Sequence, residues 1–188
     1  MCSRTVTTSL VGLAFVLAIA APTAAQGSSP VSGRPLLGAG LSFLTGGDET
    51  GSETGTGFVV DFAYPFLGMS GAALSGVGDF GYHNFDGFSA LTFMPGVRIT
   101  ATNNSRFQPF GQFLIGATHF SASDCEGEGC TETDVTFTPG GGIDIRLNDK
   151  FNFRGQVDFL IIKLPEGSLD STENATRFTF GISMKLGG

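Results

Sequence analysis

The 188-residue sequence contains no tryptophan, only two tyrosines and three cysteines. Outside Leu10 to Ala21 it has no apolar run that could cross a membrane as a helix, which takes about 20 residues. No segment repeats apolar residues at helical spacing, so helical bundles and helical membrane proteins are excluded. Basic residues are few, 10 Lys and Arg against 17 Asp and Glu, and the net charge of −7 argues against a nucleic-acid partner. Cys2 lies ahead of the apolar run rather than just after it, so it is not a lipoprotein attachment site.

The sequence is instead rich in glycine and phenylalanine, 29 and 19 residues. Arg4, the apolar run and the small residues Pro22-Thr23-Ala24-Ala25 predict a secretory signal peptide over 1–25, which leaves a mature domain over 26–188. The mature chain then keeps Cys125 and Cys130, in DCEGEGC. Export and spacing predict a disulfide between them, whose small loop contributes about 2 kcal/mol. The alternative, a soft metal pair, lacks a third or fourth Cys or His nearby in sequence.

The clearest pattern runs from Val135 to Ile162. Phe137, Ile143, Ile145 and Leu147 alternate with Thr136, Thr138, Asp144 and Arg146. After Asn148-Asp149-Lys150, Phe151, Phe153, Val157, Phe159 and Ile161 alternate with Asn152, Arg154, Gln156 and Asp158. Period-2 alternation of this length marks strands between two environments, and the polar break marks a tight hairpin turn. With Leu147 facing Phe151, Asp144 falls opposite Arg154, where unlike charges pair favourably.

Six further strands are read at Leu36 to Leu44, Thr56 to Tyr64, Ser70 to Phe80, Gly87 to Ile99, Phe107 to Phe120 and Ala175 to Leu186. Eight strands of roughly 9–13 residues suit tilted membrane crossings. Long connections are expected after the first, third, fifth and seventh strands, and short ones after the second, fourth and sixth. Twelve of the 17 acids fall in the expected long loops, at Asp48, Glu49, Glu53, Asp86, Asp124, Glu126, Glu128, Glu132, Asp134, Glu166, Asp170 and Glu173. The strand charges share the polar faces: Asp61, Asp144 and Asp158 with Arg98, Arg146, Arg154, Arg177 and Lys185, and Asp79 in a poorly patterned strand. A charge facing lipid at mid-membrane would cost about 2–4 kcal/mol. The polar faces therefore point inward, into a lumen that eight strands make just wide enough for side chains to fill. The expected fold is all-β, an eight-stranded antiparallel up-and-down transmembrane barrel plugged by a salt-bridge network.

The segments QPFGQFLIGA, GGGIDIRL, FRGQVDFL and RFTFGISMKL resemble small outer-membrane β-barrels of the OmpA-type transmembrane-domain family. Gly181-Ile182-Ser183-Met184-Lys185-Leu186 resembles that family's C-terminal assembly signal, although Leu186 stands where a terminal aromatic is usual. The resemblance implies a bacterial outer-membrane location, outer-membrane lipid and lipopolysaccharide as surroundings, and the outer-membrane assembly machinery as a partner. It implies no cofactor and no enzymatic activity.

Two sites of possible chemistry remain. His119 and Ser121, with Glu132 or Asp134 as the acid, resemble the lipid-facing catalytic groups of outer-membrane lipid A deacylases, which gives a lipid-modifying esterase as the alternative function. His83 with Asp86 and Ser89 is a weaker version of the same arrangement. The acidic loops could hold divalent cations, but Asp124 to Asp134 lacks the ordered spacing of a calcium loop. Gly76-Val77-Gly78-Asp79-Phe80-Gly81 matches a phosphate-loop pattern with no helix after it, and is read as strand. A soluble lipocalin-like barrel would need the phenylalanine faces inside and the charges outside.

Overall fold

The computed structural model describes residues 34–48, 51–102, 105–122, 131–163 and 172–187. The expected signal peptide and both Cys125 and Cys130 lie outside these residues. Eight strands follow one another: β1 (Leu36–Asp48), β2 (Gly51–Met69), β3 (Ala72–Asn84), β4 (Phe88–Ala101), β5 (Phe107–Ala122), β6 (Thr131–Arg146), β7 (Phe151–Lys163) and β8 (Thr172–Lys185). Each pairs antiparallel with the next, and β8 pairs back onto β1 to close the barrel. Closure leaves no free strand edge, which is the condition for a sheet to survive in hydrocarbon.

Alternation decides which side each residue faces. Along β7, Asn152, Arg154, Gln156 and Asp158 are buried while Phe151, Phe153 and Phe159 are exposed. The same inversion runs around the barrel, with Phe62, Phe93, Phe113 and Phe180 outside and Asp61, Arg98, Gln112 and Arg177 inside. A protein with its aromatics outside and its charges inside is built for lipid rather than water.

The β6–β7 hairpin has the register read from its sequence. Asp144 pairs with Arg154, and the Leu147 amide donates to the Phe151 carbonyl at 3.0 Å. The Asn148 side-chain oxygen accepts from the amides of Lys150 and Phe151 at 2.9 and 2.8 Å, which closes the turn.

Several strand limits differ from the sequence reading. The expected loops at Thr45 to Gly55 and Gly81 to Asp86 are largely strand: β1 and β2 pair out to Asp48 and Gly51, and β3 and β4 out to Asn84 and Ser89. Backbone pairing continues past the expected strand ends, and on β3 burial still alternates as far as Asn84, with Gly81 and His83 buried and Tyr82 and Asn84 exposed. The connections are thus less unequal than expected on those two hairpins. The expected turn at Pro65 to Gly68 is also strand, because a register shift between Pro65 and Leu67 absorbs the proline and the chain reverses at Ser70-Gly71. Gly71 holds φ at 83°, a conformation costly for other residues. Inside the barrel wall, Pro95 and Pro139 sit where the β4–β5 and β6–β7 registers skip two residues, as expected where a proline has no N–H to give the ladder.

Candidate functional site

Among the described residues, seven charged side chains meet inside the barrel. Arg154 grips Asp144 with Nε and Nη2 at 2.7 and 2.8 Å, and its Nη1 reaches Asp61 at 2.7 Å. Arg154 Nη1 reaches both Asp61 oxygens, and Arg98 Nη1 also donates to Asp61 Oδ2, at 2.9 Å. Arg177 holds both oxygens of Asp79 at 2.9 and 3.0 Å and also reaches Asp158 Oδ2 at 2.8 Å. Gln112 joins the two halves: its carbonyl accepts from Arg98 at 2.8 and 3.0 Å, and its amide donates to Asp158 at 2.8 Å. Gln156 supplies one more donor to Asp158 at 2.7 Å. Four carboxylates thus share three guanidiniums and two amides, all buried. Asp61 and Asp79 are direct cross-strand neighbours, a repulsive placement on its own. Each is held by a different arginine, so the repulsion is offset.

The network needs room as well as charge. A Cβ on Gly38 would overlap the Asp61 carboxylate, and one on Gly140 would overlap that of Asp158. Phe110 points inward between Arg98 and Arg154, whose guanidinium carbons lie 4.6 and 5.0 Å from its ring centroid. Sequence reading left Phe110, Gln112 and Gln156 out of the network. Inward parity was the available signal for the two glutamines. Two residues assigned to it stand apart: among the described residues Arg146 and Lys185 make no salt bridge and are only half-buried.

Toward the opposite end of the barrel the interior changes character. Leu44, Met94, Leu114, Leu160 and Ile162 belong to a buried apolar cluster, with Phe85 and Phe120 packed against it, and Ala63 and Val77 extend the same cluster to the other side of the network, beside Leu36. A uniformly polar lumen was expected, so this cluster is a correction. It arises because the inner face of β7 continues past Asp158 into Leu160 and Ile162. Thr118 and Thr136 hydrogen-bond to each other at 2.7 Å beside it, which satisfies two hydroxyls in an apolar setting.

The candidate esterase groups do not all share one face of the sheet. His119 Nδ1 is 2.7 Å from Thr133 Oγ1, and Thr133 is its cross-strand partner. Glu132 instead pairs with Phe120 and so lies on the other face of the sheet from His119 and Ser121. His83 is wholly buried and bonds Ser42 at 2.9 Å, whereas Asp86 is exposed in the turn. Among the described residues no three acids, histidines or cysteines gather closely enough to hold a metal ion.

Residues 11–185 match the family model described as outer membrane protein beta-barrel domain. The chain belongs to that family. Similar solved structures include Neisserial surface protein A, with a TM-score of 0.64 at 10% identity over 86% of this chain and 100% of the other. The attachment invasion locus protein of Yersinia pestis, in complex with a heparin analogue, gives 0.60 at 11% identity over 83% and 100%. OprG from Pseudomonas aeruginosa gives 0.52 at 12% identity over 85% and 99%. At these identities the likeness is one of fold. No curated protein matches the sequence.

Membership of an outer-membrane barrel family fixes the surroundings of each face. The chain resides in the bacterial outer membrane, and its exposed phenylalanine belt meets lipid. In such barrels the short turns are periplasmic and the longer connections extracellular. Arg146 and Lys185 stand at the mouth that carries the short β2–β3 and β6–β7 turns.

Proposed function

We propose that this protein is a sealed outer-membrane anchor that presents acidic outer loops to partners at the cell surface, and that it is neither a channel nor an enzyme. The buried lumen side chains carry this reading: among the described residues, ion-paired groups and apolar side chains both point inward and are buried, which favours a closed axis. The acids concentrated at the outer connections favour basic partners or divalent cations bridging to lipopolysaccharide phosphates. They would repel a sulfated polyanion of the kind bound by the Yersinia relative. Export with removal of residues 1–25 and a Cys125–Cys130 disulfide in the outer loop belong to the same reading.

Planar-bilayer recording tests the sealed lumen. Purified refolded barrel should add no steady conductance above the lipid baseline, and regular single-channel openings would refute the reading. Intact mass of the exported protein tests the processing. The mature chain should begin at Gln26 and weigh two hydrogens less than its reduced form; a retained leader or an unchanged mass on reduction would remove that part.

A further inference from the structure

The periplasmic rim carries a charge opposite to that of the chain. Five of its ten basic residues, Arg34, Arg106, Arg146, Lys150 and Lys185, stand at the ends and turns on this side. Backbone hydrogen bonds tie their segments into one arc. The Arg146 amide donates to the Arg106 carbonyl, the Lys185 amide to that of Lys150, and the Leu186 amide to that of Pro35, each at 2.8 Å. Asp149 is the one described acid on the arc that no network arginine holds; the carboxylate of Asp144 is already bound by Arg154. Partial burial weighs on the Lys185 ammonium, which Arg146 and Arg34 repel and Asp149 and Asp144 attract. The arc therefore concentrates like charge in a protein whose net charge is −7.

Two buried polar atoms at this mouth lack partners. Arg146 Nε is shut off from solvent and makes no hydrogen bond, and neither does Asn152 Oδ1 on its cross-strand neighbour. Asn152 already spends its amide on Ser183 at 3.0 Å. The two atoms belong to paired residues of β6 and β7, and each keeps a hydrogen-bonding capacity that the described residues do not use. Leu147 and Phe107, exposed to lipid at the same level, put the arc at the headgroups of the inner leaflet.

We infer that the arc formed by Arg34, Arg106, Arg146, Lys150 and Lys185 binds a phosphate group, presented either as hydrogen phosphate in the periplasm or as a phosphatidylglycerol headgroup. Arg146 and Lys185 face the mouth and hold the oxyanion, while the other three cations line the rim and draw it in.

The test uses refolded barrel in nanodiscs. One arm titrates inorganic phosphate into phosphatidylcholine discs by calorimetry. The other replaces part of the lipid with phosphatidylglycerol in phosphate-free buffer and follows the thermal unfolding midpoint. Binding in the first arm alone assigns free phosphate, and stabilisation in the second alone assigns the headgroup. In either arm, Arg146→Gln/Lys185→Gln should weaken the effect about tenfold or more, the loss expected for charge-assisted hydrogen bonds. Lys163→Gln, at the opposite end of the barrel, should leave it unchanged. Should the double variant give no heat-shifted band, Lys185→Gln alone carries the comparison. No effect in either arm, or equal losses with Lys163→Gln, would overturn the inference.

Discussion

Replacing Arg177 with methionine should lower the unfolding free energy of the refolded barrel by about 3–5 kcal/mol, the range for removing one partner of a buried charge cluster. Arg177 and its partners Asp79 and Asp158 are all fully buried. Methionine matches the arginine stem but gives nothing to the carboxylates. Asp79 then stands beside Asp61 with no guanidinium of its own, and Asp158 keeps only the amides of Gln112 and Gln156. Lysine at the same position should fall between the two, since one ammonium cannot reproduce the fork that reaches both acids. The net value of such a cluster against neutral groups is small, so Arg177→Met/Asp79→Asn/Asp158→Asn should recover most of the loss. Glu173→Gln, exposed at the outer end, should stay within about 0.5 kcal/mol of the parent. Equilibrium urea unfolding in lipid vesicles measures all four. Equal values for Arg177→Met and Glu173→Gln would mean that the network does not hold the barrel.

The contacts of Arg177 and Arg154 also mark how far sequence reading reaches. Asp144 and Arg154 could be paired from sequence because a short turn fixes their register, and alternation places both inside. The links from Arg154 and Arg98 to Asp61 and from Arg177 to Asp79 join β2 to β7, β2 to β4 and β3 to β8, none of them adjacent strands. Such contacts depend on barrel closure and stagger, which no local pattern encodes. Alternation was legible within the membrane, where each strand separates lipid from lumen. Beyond it, β1 and β2 remain paired through Thr45–Thr54 and further, and the chain there read as loop. The apolar cluster was missed although the parity of Leu160 and Ile162 already placed them inside. Alternation shows only which residues face inward, and only the level of the charged network requires those residues to be polar. Glu132 could have been removed from the esterase reading in the same way, because its position relative to Thr133 puts it on the sheet face away from His119 once β5 and β6 are paired.

Arginine at Phe93 should destabilise the barrel by about 2–4 kcal/mol, and arginine at Leu147 by about 0–1 kcal/mol, the difference between the bilayer midplane and its edge. The two positions are nearly equal in exposure, 62% and 61%, and both face outward. They differ in height: Phe93 lies near the middle of β4, while Leu147 begins the turn between β6 and β7. At the midplane the guanidinium must thin the bilayer or draw water inward, whereas at the turn it reaches headgroups directly. Folding yield into vesicles and urea unfolding both read the difference. A soluble barrel with this surface would treat the two substitutions alike, because at either site a charge would replace an apolar side chain in water. Comparable values at Phe93 and Leu147 would therefore remove the membrane from the account of this fold. A gap of the expected size would show that the phenylalanine belt is held by lipid, with the depth of each strand residue, rather than its exposure, setting what it tolerates.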